Sequence, residues 1–158
     1  MSLRASTDAD RMTSERPAGR VRGLRRASFA ALVILLVQYG LGMYTNLYVN
    51  IPGSDHGQGL GKTISNGPAA LSLHAVLGLL LALAAIGVLV QAIMARHWAV
   101  LTAAIIALAA IIGAVFAGEG FVGQSQAASA SMSMAVLAGV AILCYATAVY
   151  LLPSPRQH

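Results

Sequence analysis

Four stretches of the chain are apolar at nearly every position, and polar residues collect in the intervals between them. They run from about Ala27 to Val49, Ala69 to Met94, Trp98 to Ala117 and Met132 to Leu152. None alternates with the period of two that marks a half-buried strand. Each reaches the roughly 20 residues that a helix needs to cross the apolar core of a bilayer. The pattern predicts an all-α, integral membrane protein. The interval Ala95-Arg96-His97-Trp98 is so short that spans two and three must be antiparallel neighbours. The expected fold is an up-down-up-down four-helix bundle over residues 27–152. Residues 1–26 are polar, Arg-rich and without apolar periodicity, and are expected to form a disordered basic tail. Residues 153–158, opened by Pro153 and Pro155, make a short second tail.

Composition agrees with this. Charged residues are 9% of the chain, against about 25% in soluble domains. The net charge of +5 invites a nucleic-acid reading, which fails on distribution. Arg4, Arg11, Arg16, Arg20, Arg22, Arg25 and Arg26 all precede the first span. Basic residues hard against an apolar helix act as an orientation signal and touch anionic lipid headgroups. Arg96 and Arg156 fall on the same side as the tail, and only Lys62 falls on the other. Both termini are therefore expected in the cytoplasm, with the lipid bilayer as the main partner and no nucleic acid. The Ala, Gly and Arg bias suggests a GC-rich bacterial genome, hence a bacterial plasma membrane. No cleavage site follows the polar leader, so the first span is expected to remain as a signal anchor.

Several chemistries drop out. Cys144 is alone, which excludes an intramolecular disulfide and a cysteine metal motif. Gly59-x-Gly61-Lys62-Thr63 lacks the GxxxxGK[ST] spacing of a phosphate loop and no strand precedes it. Ala103, Ala107, Ala110, Ala114 and Ala117 form a small-residue stripe suited to close helix packing rather than chemistry.

The candidate chemistry lies in the few polar residues inside spans. Gln38, Gly42 and Thr45 or Asn46 share one face of span one, which should point into the bundle because lipid-facing amides are costly. Tyr44 and Tyr48, one turn apart, suit an interfacial anchor. His74 opens span two in Ser72-Leu73-His74-Ala75-Val76-Leu77-Gly78, with Gly78 one turn on. An echo appears in Ser133-Met134-Ala135-Val136-Leu137-Ala138-Gly139, which places Met134 where His74 stood. Gly40-Leu41-Gly42 in span one and Gly118-Glu119-Gly120 after span three complete the parallel. Two duplicated helical hairpins are the expectation, related by a pseudo-two-fold axis along the membrane normal.

In that arrangement His74 and Met134 face each other across the bundle, and His with Met is an axial pair that haem iron accepts. The glycines at 42, 78, 120 and 139 leave room for a flat ring. Glu119, Gln38 or Asn46 could orient the second imidazole nitrogen. On the same side only Lys62 could meet propionates. A copper site from His56, His74, Met132 and Met134 is a further option, weakened because residues two apart on a helix diverge by ~160°. Proton or quinone chemistry is another, and a structural histidine hydrogen-bonded near the headgroups is the plainest.

His74-x-x-x-Gly78 resembles the haem-ligating pattern of the cytochrome b561 and haem A synthase type of bundle. The resemblance implies haem b held across a pseudo-two-fold, although Met134 stands where the partner His is expected. The chain also resembles four-span actinobacterial membrane proteins, a likeness that implies no activity. No catalytic residue is assigned. The expected role is a non-enzymatic structural or accessory membrane protein, alone, as a homo-oligomer or within a larger membrane complex, and a b-type haem protein of electron transfer or haem handling is the alternative.

Overall fold

The computed structural model describes residues 2–49, 61, 62, 65, 67–123 and 128–153, with side chains from residue 19 onward except 121–123. The described regular structure consists of long helices: α1 (Ser2–Tyr48), α2 (Ala69–Ala95), α3 (Trp98–Gly123) and α4 (Ala128–Leu151). All four contain a stretch long and apolar enough to span a membrane. A helix satisfies its backbone hydrogen bonds within itself, which is what a solvent without donors or acceptors demands. Pro68 stands at the N-cap of α2, and the chain leaves α4 at Leu152 and Pro153. Prolines thus lie outside α2, α3 and α4, where they break no ladder.

One difference from the sequence reading concerns residues before Ala27. The stretch expected to lack structure is continuous with α1, and Leu24 is fully buried. The packing of the first helix therefore begins a turn earlier than its apolar run. At the other end of the bundle Arg96 closes α2 with φ 53°, its N–H bonded to the Ile93 carbonyl at 3.2 Å. This left-handed cap is the device that ends a helix abruptly, and here it allows α3 to start at Trp98.

Each helix packs against two others: α1 and α3 each touch both α2 and α4, with α3 against α4 the most extensive face. Along α1 the sites are fixed at two ends. Gly23 lies against Gln91 and Gly42 lies against the His74 ring. We call these the turn end and the loop end.

The buried positions follow a seam. On α1 it runs through Leu24, Ser28, Ala31 and Leu35, and on α3 it is joined at a constant shift of 76 by Val100, Ala104, Ala107 and Ile111, with Ala103 and Ala110 buried beside it. On α2 it runs through Leu81, Ala85, Val88 and Ala92, and at a constant shift of 60 stand the buried Ala141, Tyr145 and Ala148 of α4 and Leu152 just past its end. Within every set the spacing alternates between four and three. That is the 3.5-residue seam of helices packed as in a coiled coil. The seam is rich in alanine, while Leu83, Leu143 and Phe116, all about two-thirds exposed, point outward. Bilayer hydrocarbon is as apolar as leucine, so burial selects small side chains that let backbones approach rather than large ones that escape water.

Candidate functional site

At the loop end the seam continues, but its residues change character. Beyond Leu35 come Gln38, Gly42 and Thr45 on α1. Before Leu81 come Gly78, His74 and Leu71 on α2. The matching seam positions on α3 and α4 are Ala114, Gly118, Ala138, Met134 and Ser131. All of them line one cavity of about 170 Å³, with wall residues from all four helices.

Two contacts between α1 and α2 shape one side of it. The Gln38 amide donates from Nε2 to the backbone carbonyl of His74 at 2.7 Å. To do so it lies over Gly78, where an added Cβ would come within 3.1 Å of Nε2. In return the His74 ring lies over Gly42, where an added Cβ would come within 3.0 Å of Cε1. Gln38 and Gly42 are one turn apart on α1, and His74 and Gly78 one turn apart on α2. Each helix thus presents one long polar side chain and one bare backbone to the other. Here the absence of Cβ is required by close approach rather than by backbone conformation.

The opposite side uses the same plan without polarity. Met134 lies over Gly118, with Sδ 3.5 Å from an added Cβ. Leu137 lies over Gly113, with Cδ1 at 3.2 Å. Ala114 and Ala138 stand where α1 and α2 have Gln38 and Gly78. The cavity therefore has a polar wall from α1 and α2 and, from α3 and α4, a wall in which Ser131 is the one polar side chain among the described residues.

His74 Nδ1 and Gln38 Oε1 are shielded from solvent and have no hydrogen-bond partner among the described residues. Thr45 is satisfied within its own helix, its hydroxyl donating to the Leu41 carbonyl at 2.6 Å. Asn46 lines the same cavity at its rim and is exposed.

Of the residues singled out from the sequence, His74, Met134, Gly42, Gly78, Gln38 and Asn46 are brought to this one cavity. Gly120 and Gly139 are not among its lining residues, and an added Cβ at either meets nothing within 4 Å. Gly118 and Ala138 take those places. The Gly-x-Gly parallel aligned residue 42 with 120, whereas packing pairs 42 with 118. Two residues are ~200° around a helix, so the textual match turns the wrong face inward. Glu119 is exposed and does not line the cavity. The signal that finds Gly118 and Ala138 is the seam itself, carried on in steps of four and three from Ile111 and Ala141.

The residues present do not fit a haem. Macromolecular cavities for drug-sized ligands run to about 300–1,000 Å³, and an engineered cavity of about 150 Å³ holds a benzene. A space of about 170 Å³ suits one ring, not a macrocycle. Among the described residues no Lys or Arg lines it to meet propionates. The Gln38 amide is committed to the His74 carbonyl rather than to the ring nitrogen. For copper, Met132 points away from the bundle, two-thirds exposed, while Met134 points in. His56 lies outside the described residues. Among the described residues no group of three or more His, Cys, Asp or Glu gathers.

Comparison of the chain with protein-family models, with curated proteins and with solved structures finds no match. What the site can do therefore rests on its own chemistry: it offers a ring-sized, mainly apolar space with most of its polar side chains on α1 and α2.

Proposed function

We propose that this is a small multi-pass membrane protein of non-enzymatic, accessory role whose bundle holds a small apolar molecule at its loop end. The observation that carries the reading is the cavity walled by all four helices, to which the seam brings Gln38 and His74 together. Polar side chains inside a membrane span are costly, and an ionisable one such as His74 marks a candidate functional site. Most small-molecule sites share this make-up of a mainly apolar wall with a few placed polar groups.

The arrangement we propose around the site is an up-down-up-down bundle of two related hairpins. Its support is the constant shift of buried positions, 76 between α1 and α3 and 60 between α2 and α4. Further support is the common use of glycine beneath His74 and Met134. We place it in a bacterial plasma membrane with both termini and the Arg96 turn in the cytoplasm. There exposed Arg20, Arg22 and Arg26 meet anionic headgroups. Single cysteines introduced at Lys62 and at Arg96 in a Cys144→Ala background test this: a membrane-impermeant thiol reagent on whole cells labels the first and spares the second. The reverse labelling overturns the orientation.

Binding is tested on detergent-purified protein with aminoanthracene, a ring-sized fluorescent probe. Saturable binding near one probe per chain is expected, with loss in Ala138→Leu and Ala135→Leu variants that keep their helical signal and elution volume. Unsaturable partitioning, or binding indifferent to those substitutions, sinks the reading. A Soret band in protein from a haem-sufficient host, abolished in His74→Ala, turns the assignment to b-type haem instead.

A further inference from the structure

We infer that the molecule held at the loop end is a membrane-borne hydrophobe with a hydrocarbon tail: its ring fills the cavity and its tail leaves sideways, between α1 and α4, into the bilayer. This rests on the ligand-binding reading above and names the ligand's class and its route.

Helix α1 touches both α2 and α4, so each side of its seam faces one neighbour. Contacts at two glycines show which side faces which. Gly23, one residue before Leu24 of the seam, lies against Gln91, one residue before Ala92. Gly113, one residue before Ala114, lies against Leu137, one residue before Ala138. Positions just before the seam therefore meet within each pair, α1 with α2 and α3 with α4. Positions just after the seam are turned ~100° to its other side and face the other pair. From α1 they face α4, and from α2 they face α3.

Every described residue of the cavity wall that is not in the seam stands just after it. The cavity is thus a slot between the two helix pairs, and it does not spread into the contact within either pair. On one flank α1 supplies Tyr39, Met43 and Asn46, and α4 answers with the small Ala135 alone. Tyr39 is 40% exposed and Met43 42%, and Asn46 is exposed as well. On the other flank stand Ala75, Leu79 and Val115, of which only Leu79 is exposed. Wall residues that also belong to the outer surface mark an opening, and α1 and α4 carry more of them.

The depth of this opening sets the class of ligand. Tyr39 lies about 14 Å along α1 from Tyr48, where the span ends. At that depth the opening meets hydrocarbon, and a molecule dissolved in the bilayer enters without crossing water. Asn46 and Ser131 stand at the loop-most edge of the wall, so polarity along the slot rises toward the headgroups. The inner space of about 170 Å³ takes one ring. A tail that passes out between α1 and α4 stays in lipid, which is as apolar as the leucines around it.

Ethylbenzene and dodecylbenzene separate an open slot from a closed cavity. Each is used to displace aminoanthracene from the full-length protein in nanodiscs, with affinity expressed per mole fraction of probe in the lipid. The two are expected to bind within about threefold of each other, because a tail left in lipid neither gains nor loses by the ring's transfer. Dodecylbenzene weaker than ethylbenzene by tenfold or more means a closed cavity; it overturns this inference and leaves the cavity reading intact. Met43→Trp narrows the α1–α4 opening and is expected to weaken dodecylbenzene about tenfold relative to ethylbenzene, the scale of an overpacked contact. An unchanged ratio in that variant, with helical signal and elution volume kept, overturns the placement of the tail between α1 and α4. The two-probe comparison on the unaltered protein does not depend on the variant's folding. Failure of both probes to displace aminoanthracene overturns the cavity reading itself.

Discussion

The α1–α2 pair and the α3–α4 pair occupy the same seam with opposite chemistry. At the loop end the first pair interlocks by polar side chains over glycine: Gln38 over Gly78 and His74 over Gly42. The second pair interlocks by Met134 over Gly118 and leaves alanine at 114 and 138. At the turn end the balance reverses in volume, for α4 buries Tyr145 at the seam position where α2 has Ala85. Two helix pairs that touch along one seam have thus been loaded differently at each end. The lesson is that in a membrane bundle the seam decides which positions touch, while the residue types at those positions decide where a space is left. Small residues on the second pair and bare glycine on the first leave the space at the loop end. Tyr145 closes it at the turn end.

The largest test of this comparison is at Tyr145, which is 1% exposed. Tyr145→Ala should destabilise by about 3–5 kcal/mol, as large-to-small core changes do, in equilibrium unfolding with denaturing detergent. Adding Ala85→Tyr in the same chain should recover part of that loss if the two positions are seam equivalents. A double variant less stable than either single one breaks the equivalence.

A smaller and sharper contrast lies between two glycines. Gly42→Ala pushes Cβ to 3.0 Å from the His74 ring, and should cost about 1–3 kcal/mol through overpacking. Gly118→Ala meets Met134 Sδ at an ordinary 3.5 Å and gains helix propensity, so it should be neutral or stabilising by up to ~1 kcal/mol. Equal losses at both positions would show that the difference between the walls is not one of close approach.

The smallest effect concerns transplanting the polar lock. Ala114→Gln alone should be destabilising, because Ala138 fills the place that Gly78 leaves open for Gln38. Ala114→Gln with Ala138→Gly should recover about 0.6 kcal/mol, the typical worth of an interhelical hydrogen bond in a membrane protein. A double-mutant cycle measures the coupling, and a value indistinguishable from zero means the second pair cannot adopt the register of the first.

The four spans, their approximate limits and the tight turn after Ala95 were legible because crossing a bilayer needs only length and apolarity, both of which are local. So was the alanine stripe of α3, of which Ala103, Ala107 and Ala110 are buried. The inward face of Gln38 was legible because lipid-facing amides are costly, and the repeated Ala-Val-Leu had pointed to Met134 as the counterpart of His74, with which it lines one cavity. The facing of everything else was not. Helices that are apolar all round carry no amphipathic contrast, so periodicity of hydrophobicity cannot report which side meets a neighbour. Leu24 was hidden for a different reason, since it sits among arginines and only packing reveals it.

Sequence alone therefore settled that this chain makes long apolar helices, and which few polar residues those helices must hide. The tertiary structure decided the register: that Gly118 rather than Gly120 answers Gly42, and that Gln38 spends its amide on the His74 carbonyl and keeps Oε1 unpaired. The physical reason is that spanning a membrane is a property of one segment, whereas a cavity is a property of four surfaces. A shift of two residues, invisible in composition, turns a helix by more than half a circle and changes which atoms line the space.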